Sequence, residues 1–337
     1  MIHSIVPIPL TILFALCTTN AFALDPHVEA VIRTVEGAQG KVEKTEDGQS
    51  LKLVDLNMPN TVAHSKRTVD PYDAAFFEHL GHITTLETLK VIATELNDER
   101  LAHVGKLTNL KTLSLVNNGK FGDSGLARLV GLTQLESFAC MGTGIQGHVY
   151  AKFEGWTKLT RLNHRGSSLD DEGLRQICER FSNLESLGLA HAYFTDAGAV
   201  HLAKLTKLKN LEIGTHDATP AALASLIKLP LESIQLGEGF HTVDAFTTVK
   251  AIPTLRTLSI TSGKDLTDAD LSFIASINQL EALIMDKLPL PDERIPQLSG
   301  FAHLKSISLA LRPKGYPPET QAKVKALLPK VEVKFVQ

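Results

Sequence analysis

Cys140 and His164 are the residues whose types and spacing first suggest a chemical function. They lie 24 residues apart, and a cysteine in contact with a histidine can form a nucleophile or supply two ligands to a zinc ion. A catalytic thiolate needs exposure and an electropositive setting, and zinc needs three or four ligands. The sequence shows neither, so we expect both residues to lie in the core, with a reactive Cys140 as the alternative.

Arg161, Asn163 and Arg165 alternate along one short segment. A period of two places all three side chains on one face of a β-strand. Two guanidinium groups on one face can bind a carboxylate, phosphate or sulfate through paired hydrogen bonds. The alternative is a solvated pair of charges without a ligand, which is ordinary on an exposed sheet face.

A second candidate site is the segment from Asn57 to Tyr72. It carries His64, Lys66 and Arg67 and has no apolar stripe. Long loops in compact domains are often functional. The segment is therefore either a binding loop or a tolerated surface insertion.

Motifs of the common enzyme classes are missing from the sequence. His191, His201, His216 and His241 do not have metal-ligand spacing such as H-E-x-x-H. There is no G-x-S-x-G motif, phosphate-binding glycine loop or dinucleotide fingerprint. The sequence therefore predicts a protein that is not an enzyme and that uses no metal or cofactor.

The elements that position these residues follow from an internal repeat. An apolar core of the form L-x-x-L-x-L recurs, and its first leucines are 23 to 25 residues apart. The copies begin at Leu86, Leu110, Leu135, Leu159, Leu184, Leu208, Leu231, Leu255, Leu280, Leu304 and Leu328. An earlier copy begins at Leu51, 35 residues before the next, so the first repeat is longer than the others. Cys140 and His164 occupy the sixth, inward position of consecutive copies.

Each repeat also has a second half with the features of a helix. An apolar residue is followed by a polar pair and then by apolar residues three or four apart, as in the segments 169–174, 194–198 and 266–271. The Thr or Asp of the polar pair is a good N-cap. These features resemble the leucine-rich-repeat superfamily, in particular the kind with repeats of roughly 24 residues and a T-D-x-G-L helix start. That kind occurs in bacterial exported proteins and, slightly longer, in F-box-type substrate receptors.

The resemblance implies an α/β solenoid, a right-handed horseshoe with a parallel sheet on its concave side and helices on its convex side. It covers Leu51 to Val333, and we expect about twelve repeats. Residues 24–50 are predicted to form an N-terminal cap with a helix at 28–35 and a hairpin strand. The solenoid would then run over 51–337 and end in a C-terminal cap with a helix at 319–327 and a strand at 331–335.

The third, fifth and seventh positions of each strand segment should point out of the concave face. The side chains on that face are mostly small and polar. Its candidate ligand-binding residues are Lys90, Arg161, Asn163, Arg165, Asn210 and Glu212. A protein or peptide is the expected partner, and an anionic glycan or surface polymer bound by the two arginines is the alternative. A passive structural component of the cell envelope is a third interpretation.

Residues 1–23 are predicted to be a secretory signal. Ile5 to Leu16 is almost wholly apolar, and Ala21-Phe22-Ala23 fits a signal-peptidase site. Lipidation at Cys17 is the alternative. We therefore expect an exported protein, periplasmic, at the cell surface or secreted, and no later run of 18 apolar residues predicts a membrane span.

Charge and cysteine content narrow the partner further. Lys and Arg number 34 against 37 Asp and Glu, so the chain lacks the basic excess typical of nucleic-acid binding, and we expect no nucleic-acid partner. Once the signal is removed, Cys140 and Cys178 are the remaining cysteines. We expect both to be buried free thiols rather than a disulfide.

Overall fold

One sheet of 13 strands organises the molecule. The structure is a computed structural model and describes residues 23–56, 70–92, 94–237 and 239–336. Its strands are β1 (Lys41–Lys44), β2 (Leu51–Asp55), β3 (Thr88–Ile92), β4 (Thr112–Val116), β5 (Ser137–Ala139), β6 (Arg161–Asn163), β7 (Ser186–Gly188), β8 (Asn210–Ile213), β9 (Ser233–Leu236), β10 (Thr257–Ile260), β11 (Ala282–Asp286), β12 (Ser306–Ala310) and β13 (Glu332–Val336). Each is hydrogen-bonded to its neighbours in chain order. The pair β1 and β2 is antiparallel, and every later pair is parallel.

The second halves of the repeats are short helices. The α-helices are α1 (Pro26–Gly37), α2 (Ala74–Leu80), α3 (Asp98–Val104), α4 (Asp123–Leu126), α5 (Asp171–Arg180), α6 (Asp196–Ala199), α7 (Val243–Lys250), α8 (Asp268–Ala275) and α9 (Pro318–Leu327). Other turns are 3₁₀ helices, at Ala127–Leu129, Tyr150–Lys152, Val200–Lys204, Pro220–Leu226, Gly263–Asp265 and Ile295–Phe301. A 3₁₀ helix rises about 2.0 Å per residue against 1.5 Å for an α-helix, so fewer residues return the chain to the next strand. The helix predicted for each repeat is thus an α-helix in some repeats and a 3₁₀ helix in others.

The repeated leucines form a continuous core. In β4, Leu113 and Leu115 are fully buried, while the three residues that alternate with them are partly exposed. The strands are in register, so Leu113 lies beside Phe138 and Phe138 lies beside Leu162. A parallel sheet with its apolar face toward the helices follows, and the predicted α/β leucine-rich-repeat solenoid is confirmed.

Aspartates at the helix starts join each repeat to the next. The Asp171 carboxylate accepts hydrogen bonds from the Thr195 N–H at 2.6 Å, the Thr195 hydroxyl at 2.8 Å and the Gly198 N–H at 3.0 Å. Asp123 similarly accepts the N–H groups of residues 146–148 at 2.8 to 3.1 Å. These donors open the following helical segment, where backbone N–H groups have no partner inside the helix. The aspartate therefore caps across repeats, whereas the sequence suggests capping only within one.

Both ends of the described solenoid follow the sequence-based expectations with small shifts. The N-terminal helix extends to Pro26 because Asp25 caps it and proline is favoured in the first turn. The predicted hairpin is present as β1 and β2. The C-terminal helix begins at Pro318, and β13 ends at Val336. Val333 rather than Val331 lies beside Ile307, so the last strand is shifted by two residues from the copy predicted to begin at Leu328. The predicted boundaries 1–23, 24–50 and 51–337 remain predictions.

Two predicted regions cannot be compared with the structure. Residues 1–22 of the predicted signal, with Cys17, lie outside the described residues, and so do residues 57–69, with His64, Lys66 and Arg67. Within the described ranges, no helix has the length and the apolar character needed to span a bilayer.

A candidate binding groove on the concave face

A groove of about 440 Å³ crosses the outer face of the sheet. It is bordered by residues of seven neighbouring strands, from β5 to β11. A groove shared by so many strands indicates that this is the concave face expected of the solenoid. Its polar side chains are Ser137, Arg161, Asn163, Ser186, Asn210, Glu212, Ser233, Gln235, Thr257 and Ser259.

The groove brings together four of the six residues proposed for this face. Arg161, Asn163, Asn210 and Glu212 all line it. Lys90 does not, because it lies on β3, two strands before β5 at the edge of the groove, where its Nζ is 3.3 Å from a carboxylate oxygen of Asp55. The groove therefore occupies the middle of the solenoid and excludes the N-terminal strands.

Arg165 reaches the groove through an ion pair. Its Nη1 lies 2.5 Å from Oε1 of Glu212, two strands away, and Gln235 Nε2 donates to the same oxygen at 2.8 Å. The Glu212 side chain is only 19% exposed, so solvent screens this pair incompletely. Arg165 thus already has an acidic partner within the chain, and the joint anion site suggested by the spacing of the two arginines stays a prediction.

Arg161 is the contrasting cation. It is exposed at the groove wall. Its guanidinium forms no ion pair with any described residue. Its backbone N–H is held by the carbonyl of Glu136 at 3.1 Å, so the strand fixes the base of the side chain. Five N–H donors therefore remain available to a ligand at one end of the groove.

Small residues set the depth of the groove. The Asn163 side chain lies over Gly188, where an added Cβ would come within 2.7 Å of Asn163 Cγ and Oδ1. Asn163 Oδ1 also accepts the Arg165 backbone N–H at 2.9 Å, which fixes the amide orientation. Gly188 thus provides the space that Asn163 occupies.

Cys140 and His164 meet behind the groove, inside the core. Cys140 Sγ lies 3.4 Å from His164 Nδ1, so the predicted contact is confirmed. The imidazole also contacts the Tyr150 hydroxyl through Nε2 at 2.5 Å and the Ser167 hydroxyl through Nδ1 at 2.9 Å. Side chains inside the solenoid therefore satisfy both ring nitrogens.

Burial determines the protonation of this cluster. It lowers the pKa of His164 to about 3 and raises the pKa of the Cys140 thiol and the Tyr150 phenol well above their ordinary values. The imidazole is thus neutral and the thiol protonated over the whole neutral range. Neither group reaches solvent, so the pair cannot act as an accessible nucleophile and base.

The remaining candidates for chemistry are also core or isolated residues. Cys178 is buried and unbridged like Cys140, and burial raises the pKa of its thiol to about 12. Over residues 23–56, 70–92, 94–237 and 239–336, no group of three or more His, Cys, Asp or Glu side chains is arranged to hold a metal ion.

Comparisons with known proteins show likeness in fold alone. No protein-family model matches the chain, and no curated protein matches it significantly. Among solved structures it is similar to an internalin from Listeria monocytogenes, with a TM-score of 0.44 and 16% identity over 76% of this chain and 82% of that one. Identities this low concern the fold, so the function of this chain has to be inferred from its own residues.

Two longer proteins show a similar likeness. The plant peptide hormone receptor RGFR1, solved in complex with RGF2, has a TM-score of 0.39 and 15% identity over 74% of this chain and 43% of that one. TLR13, solved in a complex with ssRNA13, has a TM-score of 0.47 and 15% identity over 76% of this chain and 43% of that one. This chain spans less than half the length of either.

Proposed function

We propose that this chain is a non-enzymatic recognition module that binds a protein or peptide segment in the groove on its concave face. The observation that carries the proposal is the exposed Arg161 guanidinium, without an ion pair in the described part of the chain, at the wall of a concave groove. Arginine is enriched among the residues that dominate protein interfaces.

The lining of the groove supports a partner with alternating polar groups. Serine hydroxyls and amides repeat from strand to strand at about 4.8 Å. These side chains both donate and accept hydrogen bonds, and so do the N–H and C=O groups of a peptide backbone. An extended or irregular peptide segment therefore has the chemistry that this lining complements.

The charge of the groove argues against a strongly anionic partner. Arg165 is paired with Glu212, which leaves Arg161 as the unpaired cation among the described groove residues. Polyanions such as nucleic acids are held by several cations at once. A peptide or protein surface with few charges suits this groove better than an anionic glycan or a nucleic acid.

Export remains part of the proposal and rests on the sequence of residues 1–23. N-terminal sequencing of the protein purified from its native host tests it. A mature chain that begins at Leu24 supports cleavage after Ala23, whereas a chain that retains Met1 in the cytoplasmic fraction contradicts export.

Affinity capture from envelope and secreted fractions tests the groove. The bait is the mature protein in three forms, wild type, Arg161→Ala and Lys90→Ala, where Lys90 is a matched cation on the same face but outside the groove. A partner lost with Arg161→Ala and kept with Lys90→Ala supports the proposal. A partner kept by both variants contradicts it and directs attention to residues 57–72.

A further inference from the structure

A row of charged residues crosses the sheet beside the groove. The residue after the first apolar position of each repeat up to β12 forms this row, the charge ladder: Lys52, Glu87, Lys111, Glu136, Thr160, Glu185, Lys209, Glu232, Arg256, Glu281 and Lys305. From Glu87 onward, each backbone N–H donates to the carbonyl of the preceding member at 2.8 to 3.0 Å. The members are therefore direct neighbours in space.

The signs of charge alternate along the ladder. Ion pairs join Lys52 to Glu87 at 3.8 Å, Lys111 to Glu87 at 3.0 Å, Lys209 to Glu185 at 3.2 Å, Arg256 to Glu281 at 3.9 Å and Lys305 to Glu281 at 2.6 Å. Opposite charges on neighbouring strands attract and like charges repel. Each basic member thus pairs with one neighbouring carboxylate, whereas Glu136 and Glu232 have no ion pair among the described residues.

Thr160 is the one neutral member of the ladder, at a place where the alternation requires a cation. Its neighbours Glu136 and Glu185 are two strand spacings apart, about 9.6 Å. Glu136 is exposed and has no ion pair in the described part of the chain, whereas Glu185 pairs with Lys209 on its other side. Lys158, two residues before Thr160, is held by Gln134, 2.5 Å from its Nζ.

Thr160, where the ladder lacks a cation, lies next to the candidate groove. Thr160 immediately precedes Arg161, and the Arg161 N–H bonds to the same Glu136 carbonyl as the Thr160 N–H. The Glu136 carboxylate and the Arg161 guanidinium, neither of which has an ion pair in the described part of the chain, therefore belong to adjacent strands at one end of the groove. Away from Thr160, each acidic member of the ladder lies between two basic members, so this is the place where a partner's charges gain most.

We infer that the partner carries a basic side chain that inserts between Glu136 and Glu185, next to an acidic group that contacts Arg161. This inference rests on the proposed function and names the chemistry of its partner: a peptide segment with a Lys or Arg and an Asp or Glu close together. The two charges of the partner complete the ladder and neutralise the groove wall.

A library of random 12-residue peptides displayed on phage provides a defined probe. It is selected on three immobilised forms of the protein: wild type, Thr160→Lys and Thr160→Val. Thr160→Val is the control, because valine retains the shape of threonine without adding charge. The wild type and Thr160→Val are expected to enrich peptides that pair a basic with an acidic residue. A synthetic copy should bind Thr160→Lys about tenfold or more weakly, because its cation then meets a like charge.

Replacing the basic residue of that peptide by methionine measures the coupling energy between this residue and position 160 of the protein. It should weaken binding to the wild type and strengthen binding to Thr160→Lys, because the repulsion between like charges is then removed. The neutral variant Glu136→Gln gives a second test without an added side chain, and the peptide should bind it several-fold more weakly.

The outcomes separate this inference from the proposed function. Enriched peptides that bind Thr160→Lys and the wild type equally, but lose binding with Arg161→Ala, overturn the ladder inference and leave the groove intact as a binding site. If the binding of the peptides is also unaffected by Arg161→Ala, or if no peptide is enriched on the wild type, both the ladder inference and the proposed function are overturned.

Discussion

The buried imidazole of His164 makes the stability of the middle repeats depend on pH. Burial lowers the pKa of His164 to about 3 in the folded protein, against 6.5 for an exposed imidazole. Below pH 6.5 the unfolded chain therefore binds a proton that the folded chain does not. The stability of the folded state that depends on a neutral His164 is fully present above pH 6.5 and is lost as pH falls toward 3.

The size of the effect follows from the two pKa values. At pH 5 the unfolded state gains about 2 kcal/mol relative to the folded state from this one group. That figure depends almost entirely on the unfolded pKa, because at pH 5 a folded-state imidazole with a pKa near 3 is still neutral. Below pH 3 the loss reaches a limit of about 5 kcal/mol.

A double variant isolates the contribution. His164→Leu introduces the residue that stands at the corresponding position of the β4 and β7 repeats, Leu115 and Leu189, and Tyr150→Phe removes the hydroxyl that would lose its partner. The other groups that titrate between pH 5 and pH 7 are common to both proteins. We expect the free energy of unfolding to fall by about 2 kcal/mol more in the wild type than in the variant between pH 7 and pH 5.

Tryptophan fluorescence during urea unfolding at the two pH values is the assay. Trp156 is the only tryptophan in the sequence and is buried at 2% exposure. It packs against Phe153 with ring centroids 4.6 Å apart and against Phe138 at 5.2 Å, so it reports on these repeats. Equal pH dependence in the two proteins would refute the argument that His164 is buried and neutral.

Three further predictions concern the core, the caps and the thiols. Leu162→Ala should lower the free energy of unfolding by about 2 to 5 kcal/mol in urea titrations, because it leaves a cavity between strands; a loss under 1 kcal/mol would contradict its burial. Asp171→Ala should cost about 2 kcal/mol in the same assay because Thr195 and its helix start lose their acceptor, and an unchanged midpoint would argue against capping across repeats. Cys140 and Cys178 should stay unmodified by a thiol reagent until the protein is denatured; rapid labelling of the native protein would revive a reactive role for Cys140.

The solenoid is predictable from the sequence because its leucines recur in nearly equal steps and each strand can bury them only against the next. The register of Leu113, Phe138 and Leu162 follows directly from that spacing. The 3₁₀ turns do not follow, because short segments with apolar residues three apart fit both kinds of helix. The contact between Cys140 and His164 is predictable, since both occupy the same position of adjacent repeats.

The candidate site is only partly predictable. The alternation in each strand segment is enough to place Arg161, Asn163, Asn210 and Glu212 on one face. The pairing of Arg165 with Glu212 spans 47 residues and two strands, and it depends on side-chain directions that spacing does not determine. The charge ladder is present in the sequence, but its meaning appears only when the register makes its members neighbours.

Photo-crosslinking from within the groove tests the central claim most directly. A photoreactive phenylalanine analogue replaces Asn210, which is exposed in the groove, or Val200, which is 57% exposed on the helical side. In native-host envelope and secreted fractions we expect a discrete adduct from position 210, lost when Arg161→Ala is added, and none from position 200. An adduct from position 200 alone, or one from position 210 that persists with Arg161→Ala, would contradict recognition through this groove.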